Sequence, residues 1–396
     1  MSLEKMRYWW WKRQGLDGSL AKSNPAVILT QSGWSRSVGG VGPYLTMFAR
    51  GHLDRETIDQ SVASTKIHEL PAARNCTYVV PKCDYELALR VGQAFEGGDL
   101  RVAMKLGVKE TEFQMLCIGI KKALIQKPME PSEIRESVGK LCRGLGDEGK
   151  KKGLTTTLPL GLSRLQSLGE IRRIPIDGRL DQQRYRYTLW DPSPIVGTYA
   201  QDADAHRELA RKYFAWVGPA TMKEFRWFSG LGIKAAHQAV MEIGIVPIAK
   251  GDDRMVLESD ALGFSKVVVP SKPQYALLSS LDTLFAARRN IEDFIDEKDQ
   301  SRSVYYEKGK ATFRGISDLP HHGIFDRGRL IGLWEFDVEQ EAIVHQLFVK
   351  PDKALHVAME VTQDFVRSQL GDARSFSLDT PKSRVPKIQS LLAGSQ

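Results

Sequence analysis

KKKGLTTTLPLGLSRLQSLGEIRRIPIDGRLDQQRYRYTLWDP, residues 150–192, carries helix, turn and strand signals in one run. Thr155, Thr156 and Thr157 offer helix N-caps. Leu158, Leu162, Leu165 and Leu168 follow at spacings of four, three and three, which places one apolar stripe on a helix. Gly169 is suited to end that helix in a left-handed cap. Two extended runs come next, Glu170–Pro175 and Arg184–Trp190, with Asp177-Gly178 in the linker between them. That is the pattern of an antiparallel hairpin with a loose tip.

A short amphipathic helix followed by a basic hairpin is the sequence form of a winged helix, in which the helix enters a major groove and the hairpin lies along phosphates. Arg172, Arg173, Arg184 and Arg186 supply guanidinium groups to the wing, and Lys150, Lys151 and Lys152 lead into the helix. Guanidinium groups suit bidentate phosphate contact. The competing reading is a solvated hairpin in a basic protein.

The chain has 396 residues, too many for one ordinary core, so several domains are expected. A hydrophobic content of 42% with 26% charged residues excludes a disordered chain. The excess of 56 Lys and Arg over 48 Asp and Glu gives a net charge of +8, which favours a polyanionic partner. Cys76, Cys83, Cys117 and Cys142 form no C-x-x-C pair and have no histidine at zinc-finger spacing. Free thiols in a reducing cytoplasm are expected, with no metal and no cofactor. The amino-terminal segment lacks the form of a signal peptide, and no run reaches the length of a membrane span. A cytoplasmic, monomeric protein without a membrane partner is the default expectation.

Outward from that stretch the same logic recurs. Before it, helices near Pro25, Pro43–Arg50 and Asp54–Ala63 precede short strands at Lys66–Leu70 and Thr77–Val80, and a further helix is expected over Asp84–Phe95. After it, helices over Asp202–Val217, Gly218–Phe228 and Ile233–Gly244 precede a hairpin whose tip, Gly251-Asp252-Asp253, is acidic. Beyond Pro270, alternating runs at Arg329–Phe336 and Ala342–Val349 point to a small β-barrel or curved sheet. Asp352–Leu370 returns to helix, and the tail after Asp379 reads as loosely ordered. The expected fold is α+β and mainly helical, with units at residues 1–95, 96–198, 199–270 and 271–396. Gly33-Trp34-Ser35-Arg36-Ser37-Val38-Gly39-Gly40-Val41-Gly42-Pro43-Tyr44 stands apart: its glycines imply backbone approaching a helix or a phosphate closely. Of Trp9, Trp10 and Trp11, not all can share one helix face; core packing is the main reading and a base-stacking role the other.

Several motifs in order carry a family resemblance. They are Met47-Phe48-Ala49-Arg50; Leu70-Pro71-Ala72-Ala73-Arg74-Asn75-Cys76-Thr77-Tyr78-Val79-Val80-Pro81; Gly218-Pro219-Ala220-Thr221 with Phe225-Arg226-Trp227-Phe228-Ser229-Gly230-Leu231; Leu277-Leu278-Ser279-Ser280-Leu281-Asp282 with Arg288; and Gly328-Arg329-Leu330-Ile331-Gly332-Leu333-Trp334. The series resembles the winged-helix DNA-binding superfamily that includes the AlkZ and YcaQ DNA glycosylases. The resemblance implies three tandem winged helices in a C shape closed by a C-terminal β-barrel, and metal-independent excision of altered bases from double-stranded DNA.

One departure bears on activity. Where those glycosylases carry Gln-aliphatic-Gln or Gln-aliphatic-Asp to position the attacking water, this chain has Arg36-Ser37-Val38. A guanidinium accepts no proton and valine has no polar atom. Tyr78 stands where the glycosylases often carry histidine. Two functions follow as expectations: a DNA-binding protein that recognises damaged or distorted duplex, or a glycosylase using other residues, for which Glu69 and His68 are the candidates. A protein-interaction scaffold is a third reading. Arg36, Arg74 and Arg288 join the hairpin arginines and Lys150–Lys152 as candidate DNA contacts. Trp34 and Tyr44 are the candidate base wedges or stacking platforms.

Overall fold

The computed structural model describes residues 2–93, 97–306 and 309–394. It opens with α1 (Leu3–Arg13), α2 (Pro25–Ser32), β1 (Ser35–Arg36), α3 (Gly42–Gly51), α4 (Arg55–Ala63), β2 (Ile67–Pro71) and β3 (Thr77–Pro81). Asn24 and Asp54 cap α2 and α4, accepting hydrogen bonds from the Val27 and Thr57 amides, which helix starts otherwise leave unpaired. The strands form an antiparallel sheet in the order β1-β3-β2. Ile28, Leu29, Tyr44, Leu45 and Ile58 of the helices pack in one core with Ile67 and Val79 of the sheet.

The first helix goes elsewhere. Trp9, Trp10 and Trp11 are all buried, and their indole N–H groups donate to Gly218 O, Pro219 O and Gln274 Oε1. Neighbours enclose α1 on several sides, so no tryptophan is left over as a platform.

Next come α5 (Tyr85–Gln93), α6 (Gly98–Lys105), α7 (Glu110–Ala123), α8 (Pro131–Val138), α9 (Gly146–Lys151), α10 (Leu158–Ser167), β4 (Ile171–Pro175) and β5 (Tyr185–Leu189). The expected helix end at Phe95, and with it the unit boundary at residue 95, lies outside the described residues. Leu158, Leu162 and Leu165 of α10 share a core with Leu116 and Ile120 of α7 and Ile134 of α8. Gly169 ends α10 at φ 64°, as the sequence implies. The Thr157 hydroxyl, however, accepts from the Arg143 amide rather than from a helix N–H. β4 and β5 pair antiparallel, Ile171 opposite Leu189 and Pro175 opposite Tyr185.

The third group is α11 (Asp202–Val217), β6 (Ala220–Thr221), α12 (Met222–Ser229), α13 (Ile233–Val240), β7 (Ile245–Pro247), β8 (Arg254–Leu257) and α14 (Glu258–Ser265). Thr221 and Glu224 form a reciprocal capping box at the start of α12. The aromatic face of α11, Tyr213 and Phe214, packs on Phe225 and Phe228 of α12.

The chain ends with β9 (Tyr275–Leu278), α15 (Thr283–Ala286), β10 (Ser303–Tyr306), β11 (Gly309–Thr312), β12 (His322–Asp326), β13 (Arg329–Asp337), β14 (Ala342–Leu347), α16 (Lys353–Phe365) and α17 (Pro381–Gly394). Here the expected barrel is not found. The sheet is four-stranded and open, in the order β14-β13-β12-β9. Leu277, Ile324 and Trp334 pack with Leu355 and Met359 of α16, while Leu278, Phe325 and Leu333 pack with α1 tryptophans and with Leu391 of α17. Leu330 through Phe336 are buried without alternation because both faces of the sheet are covered by helices. The tail is also more ordered than its composition implies, since α17 lies on β13 and β14.

Candidate nucleic-acid interface

The site is built on the two-residue strand β1. Arg36 of β1 lies directly opposite Tyr78 of β3, and Tyr78 lies opposite Leu70 of β2. Directly opposite residues in an antiparallel pair project from the same face. Two of the positions where the chain departs from the glycosylase pattern therefore face one place. That place is a cavity of about 280 Å³ whose wall includes Trp34, Arg36, Tyr78, Trp227, Phe228, Leu281, Thr283, Arg289, Asp318, Phe376 and Lys387. Segments from three parts of the fold meet there.

Trp34 forms its floor. It is buried, its indole N–H donates to Asp84 Oδ2 at 2.8 Å, and its ring centroid lies 5.4 Å from that of Trp216. Held this way it is a fixed wall, not a wedge that swings into a duplex. Tyr44 is not in the cavity at all: it is fully buried, with its hydroxyl donating to Asp59 Oδ1 and accepting from the Leu180 amide. The wedge reading of Tyr44 is corrected by that burial.

Cations gather at the cavity rim. Arg74, in the turn between β2 and β3, sits at φ 58° and places its guanidinium carbon 3.8 Å from the Trp227 ring centroid. Arg289 sits at φ 56° and reaches the same ring at 5.3 Å. Left-handed backbone at a non-glycine residue costs on the order of 1–3 kcal/mol, and here it delivers two cations to one indole. Arg36 Nε, Arg74 Nε and Arg74 Nη2 are buried without a hydrogen-bond partner among the described residues. Burial raises the pKa of the Tyr78 phenol, with Arg36 and Arg74 opposing that rise. Arg289 forms an ion pair with Asp318 at 3.0 Å.

The candidate catalytic residues do not share this site. His68 and Glu69 are adjacent on β2, so they project from opposite faces of the sheet. His68 is buried edge-on to Trp190 and Tyr85, and burial, then Arg172 and Arg173, push its pKa down to about 3. It stays neutral at physiological pH, with both ring nitrogens unpartnered among the described residues. Glu69 accepts a hydrogen bond from the Ser37 hydroxyl and forms a buried ion pair with Arg173 at 3.3 Å. Ser37 projects opposite to Arg36, so the Glu69 carboxylate lies behind the strand that lines the cavity.

The remaining predicted contacts divide. Arg173 is committed to Glu69 and stacks over Tyr185 at 4.4 Å, and Arg172 is partly buried beside Tyr85. Arg184 and Arg186 are exposed, the latter 4.0 Å from Glu130. Lys150 and Lys151 are exposed and paired with Asp147 and Glu148 one helical turn away, while Lys152 is exposed at the helix end. Arg288 is not a surface residue. Its side chain has 0% exposure, donates to Pro219 O at 2.8 Å and stacks over Trp10 at 3.9 Å. Trp227 and Lys387 were not singled out from the sequence, although Trp227 lies inside a quoted family motif.

The glycine loop's close approach is to protein. A Cβ on Gly39, at φ 76°, would fall 2.3 Å from Gln183 of the hairpin tip, and one on Gly40 would fall 2.1 Å from Ser375 O. Arg184 therefore stands beside the loop that carries Arg36.

A family model described as DNA glycosylase AlkZ-like matches residues 37–366. The chain belongs to the AlkZ-like DNA glycosylase family. No curated protein sequence matches it. Among solved structures it is similar to the Streptomyces sahachiroi DNA glycosylase AlkZ, with a TM-score of 0.69 and 18% identity over 95% of this chain and 98% of that one. At that identity the likeness speaks for the AlkZ-like fold alone. The matched span starts one residue after Arg36 and ends before Phe376 and Lys387, so four cavity residues of this AlkZ-like chain, Trp34 included, lie outside it. Among the described residues no helix is long and apolar enough to cross a membrane, and no cluster of three potential metal ligands occurs.

Proposed function

We propose that the chain binds duplex DNA through three tandem winged-helix modules, residues 1–95, 96–198 and 199–270, followed by the open-sheet unit at 271–396. On this reading it recognises damaged or distorted duplex and does not hydrolyse the glycosidic bond by the family's route. The observation that carries it is the cross-strand pair Arg36–Tyr78 facing the cavity. A position that must hold an attacking water needs a proton acceptor, and Arg36 is a cation. The candidate carboxylate Glu69 is held on the opposite face, and Asp318 in the cavity wall is tied to Arg289.

Exposed Arg184 and Arg186, with Arg36 and Arg74 at the cavity rim, give this reading its phosphate contacts. Neutralised phosphates release counterions, so affinity falls steeply with salt. Titrating a fluorescent duplex by anisotropy at 50 and 200 mM salt is expected to show roughly 10²-fold or greater weakening at the higher salt, as for several phosphate contacts. Salt-independent binding, or none, would refute the reading.

A further inference from the structure

The segment after α16, beyond the family-matched span, returns to the cavity rim and brings Phe376 into its wall. It is fastened on several sides. The Val41 amide donates to Arg374 O and the Ser377 amide to Val38 O, both at 3.0 Å. His322 Nε2 donates to Ala373 O at 2.6 Å, since its Nδ1 accepts from the Ser280 amide. The Ser280 and Ser375 hydroxyls meet at 2.8 Å, and Arg374 Nη2 donates to Asp181 O at 2.6 Å. Between these ties and α17 the chain makes one tight turn. The Asp379 amide donates to Phe376 O and the Phe376 amide donates back to Asp379 Oδ2, each at 3.1 Å. Leu378 stands on that turn with 87% exposure, and Phe376 at its base with 42%.

A single exposed leucine is ordinary on a protein surface. Here an apolar tip is held rigid beside a cationic rim. Phe376 shares the cavity wall with Arg36, Arg289 and Lys387, and Asp318, the one carboxylate in that wall, is paired with Arg289. Lys382 is exposed on the first turn of α17, directly after the tip. A surface of this sign draws a polyanion. Phenylalanine and leucine are among the side chains that enter duplexes between base steps, partly unstacking them and kinking the helix axis. Because hydrogen bonds already fix the turn, little ordering entropy is lost on insertion. We propose that the turn at residues 376–379 is a wedge that enters duplex DNA, Leu378 leading and Phe376 behind it, and opens one base step. The inference rests on the duplex-binding reading above and adds to it the part that senses distortion. Trp34 and Tyr44 are held too deeply for that role, whereas Leu378 projects into solvent. A base step already weakened by a mismatch is easier to open, so a wedge favours distorted over regular duplex.

The test titrates the full chain against two duplexes, one fully paired and one with a central mismatch. Each carries an internal 2-aminopurine at the centre, whose fluorescence rises on unstacking, and end dyes for energy transfer. At saturation the wild-type chain is expected to raise the 2-aminopurine signal of the mismatched duplex and to kink it by roughly 20° or more. The mismatched duplex is expected to bind about ten-fold more tightly than the paired one, because part of the unstacking cost is spared. Leu378→Ser and Phe376→Ala are each expected to remove most of the fluorescence rise at saturation, together with the mismatch preference. Leu378→Met keeps an apolar tip and should retain both. The side chains changed are exposed, and circular dichroism checks that the variants fold. Saturated binding with unchanged fluorescence, or a rise that survives the double variant Leu378→Ser with Phe376→Ala, overturns the wedge and leaves the duplex-binding reading standing. A Leu378-dependent dimer in sedimentation, with silent fluorescence, likewise overturns it by placing the tip against a second copy. Failure to bind either duplex overturns both.

Discussion

Arg50→Met is expected to lower stability by about 3–5 kcal/mol, the usual result of stranding one member of a buried ion pair. Arg50 and Asp282 have side-chain exposures of 0% each. The guanidinium meets the carboxylate twice, Nη1 to Oδ2 and Nη2 to Oδ1, both at 2.8 Å. Its other donors reach Gln14 O, Gln14 Oε1 and Thr46 O. One side chain on α3 thus joins the end of α1 to the start of α15, where Asp282 also accepts from the Leu284 amide. Methionine keeps most of the volume but leaves the Asp282 charge without a partner. The double variant Arg50→Met with Asp282→Asn is expected to recover much of the loss, because asparagine still caps α15 while the orphaned charge is gone. Chemical denaturation midpoints read both effects. A loss below about 1 kcal/mol in the single variant would show that the pair is not the bolt its geometry implies.

Reversing charge at Arg184 and Arg186 is expected to weaken duplex binding roughly 10²-fold at moderate salt and to lower the salt slope by about two. The choice of residues is structural. Reversing Arg172 and Arg173 as well would place a carboxylate against Glu69 and beside buried His68, so lost binding would be confounded with unfolding. Arg184 and Arg186 are exposed, and surface changes of this kind usually move stability by under about 0.5 kcal/mol. Anisotropy titrations, with circular dichroism to confirm the fold, separate the two effects. Unchanged affinity would mean that the hairpin does not lie on phosphates.

The helix and hairpin of residues 158–189 were legible because each rests on local signals: a leucine stripe, a terminal glycine and paired extended runs. Arg36 and Tyr78, both singled out from the sequence, are placed opposite each other by strand register. What escaped was decided by distant packing. The strand Arg329–Asp337 reads as half-buried, yet helices cover both of its faces, and that is why the sheet stays open rather than closing. Tyr44 follows a glycine-rich stretch that resembles a ligand site, but it lies in α3 and the glycines admit Gln183 and Ser375 instead. Arg288 and Arg289 are adjacent, and the left-handed turn at Arg289 sends one into the core and the other to the cavity. No local pattern distinguishes the two. His68 and Glu69 look like a pair in sequence and are separated by the alternation of a single strand.

Binding of DNA without family-type base excision is open to a direct assay. A duplex carrying N7-methylguanine is incubated with the protein at concentrations that saturate binding, treated with hot alkali and resolved on a denaturing gel. The account predicts full occupancy by anisotropy and strand scission no greater than in the protein-free control. Scission above that control, lost in Glu69→Gln, would show that an active glycosylase works from behind the strand and would contradict the account.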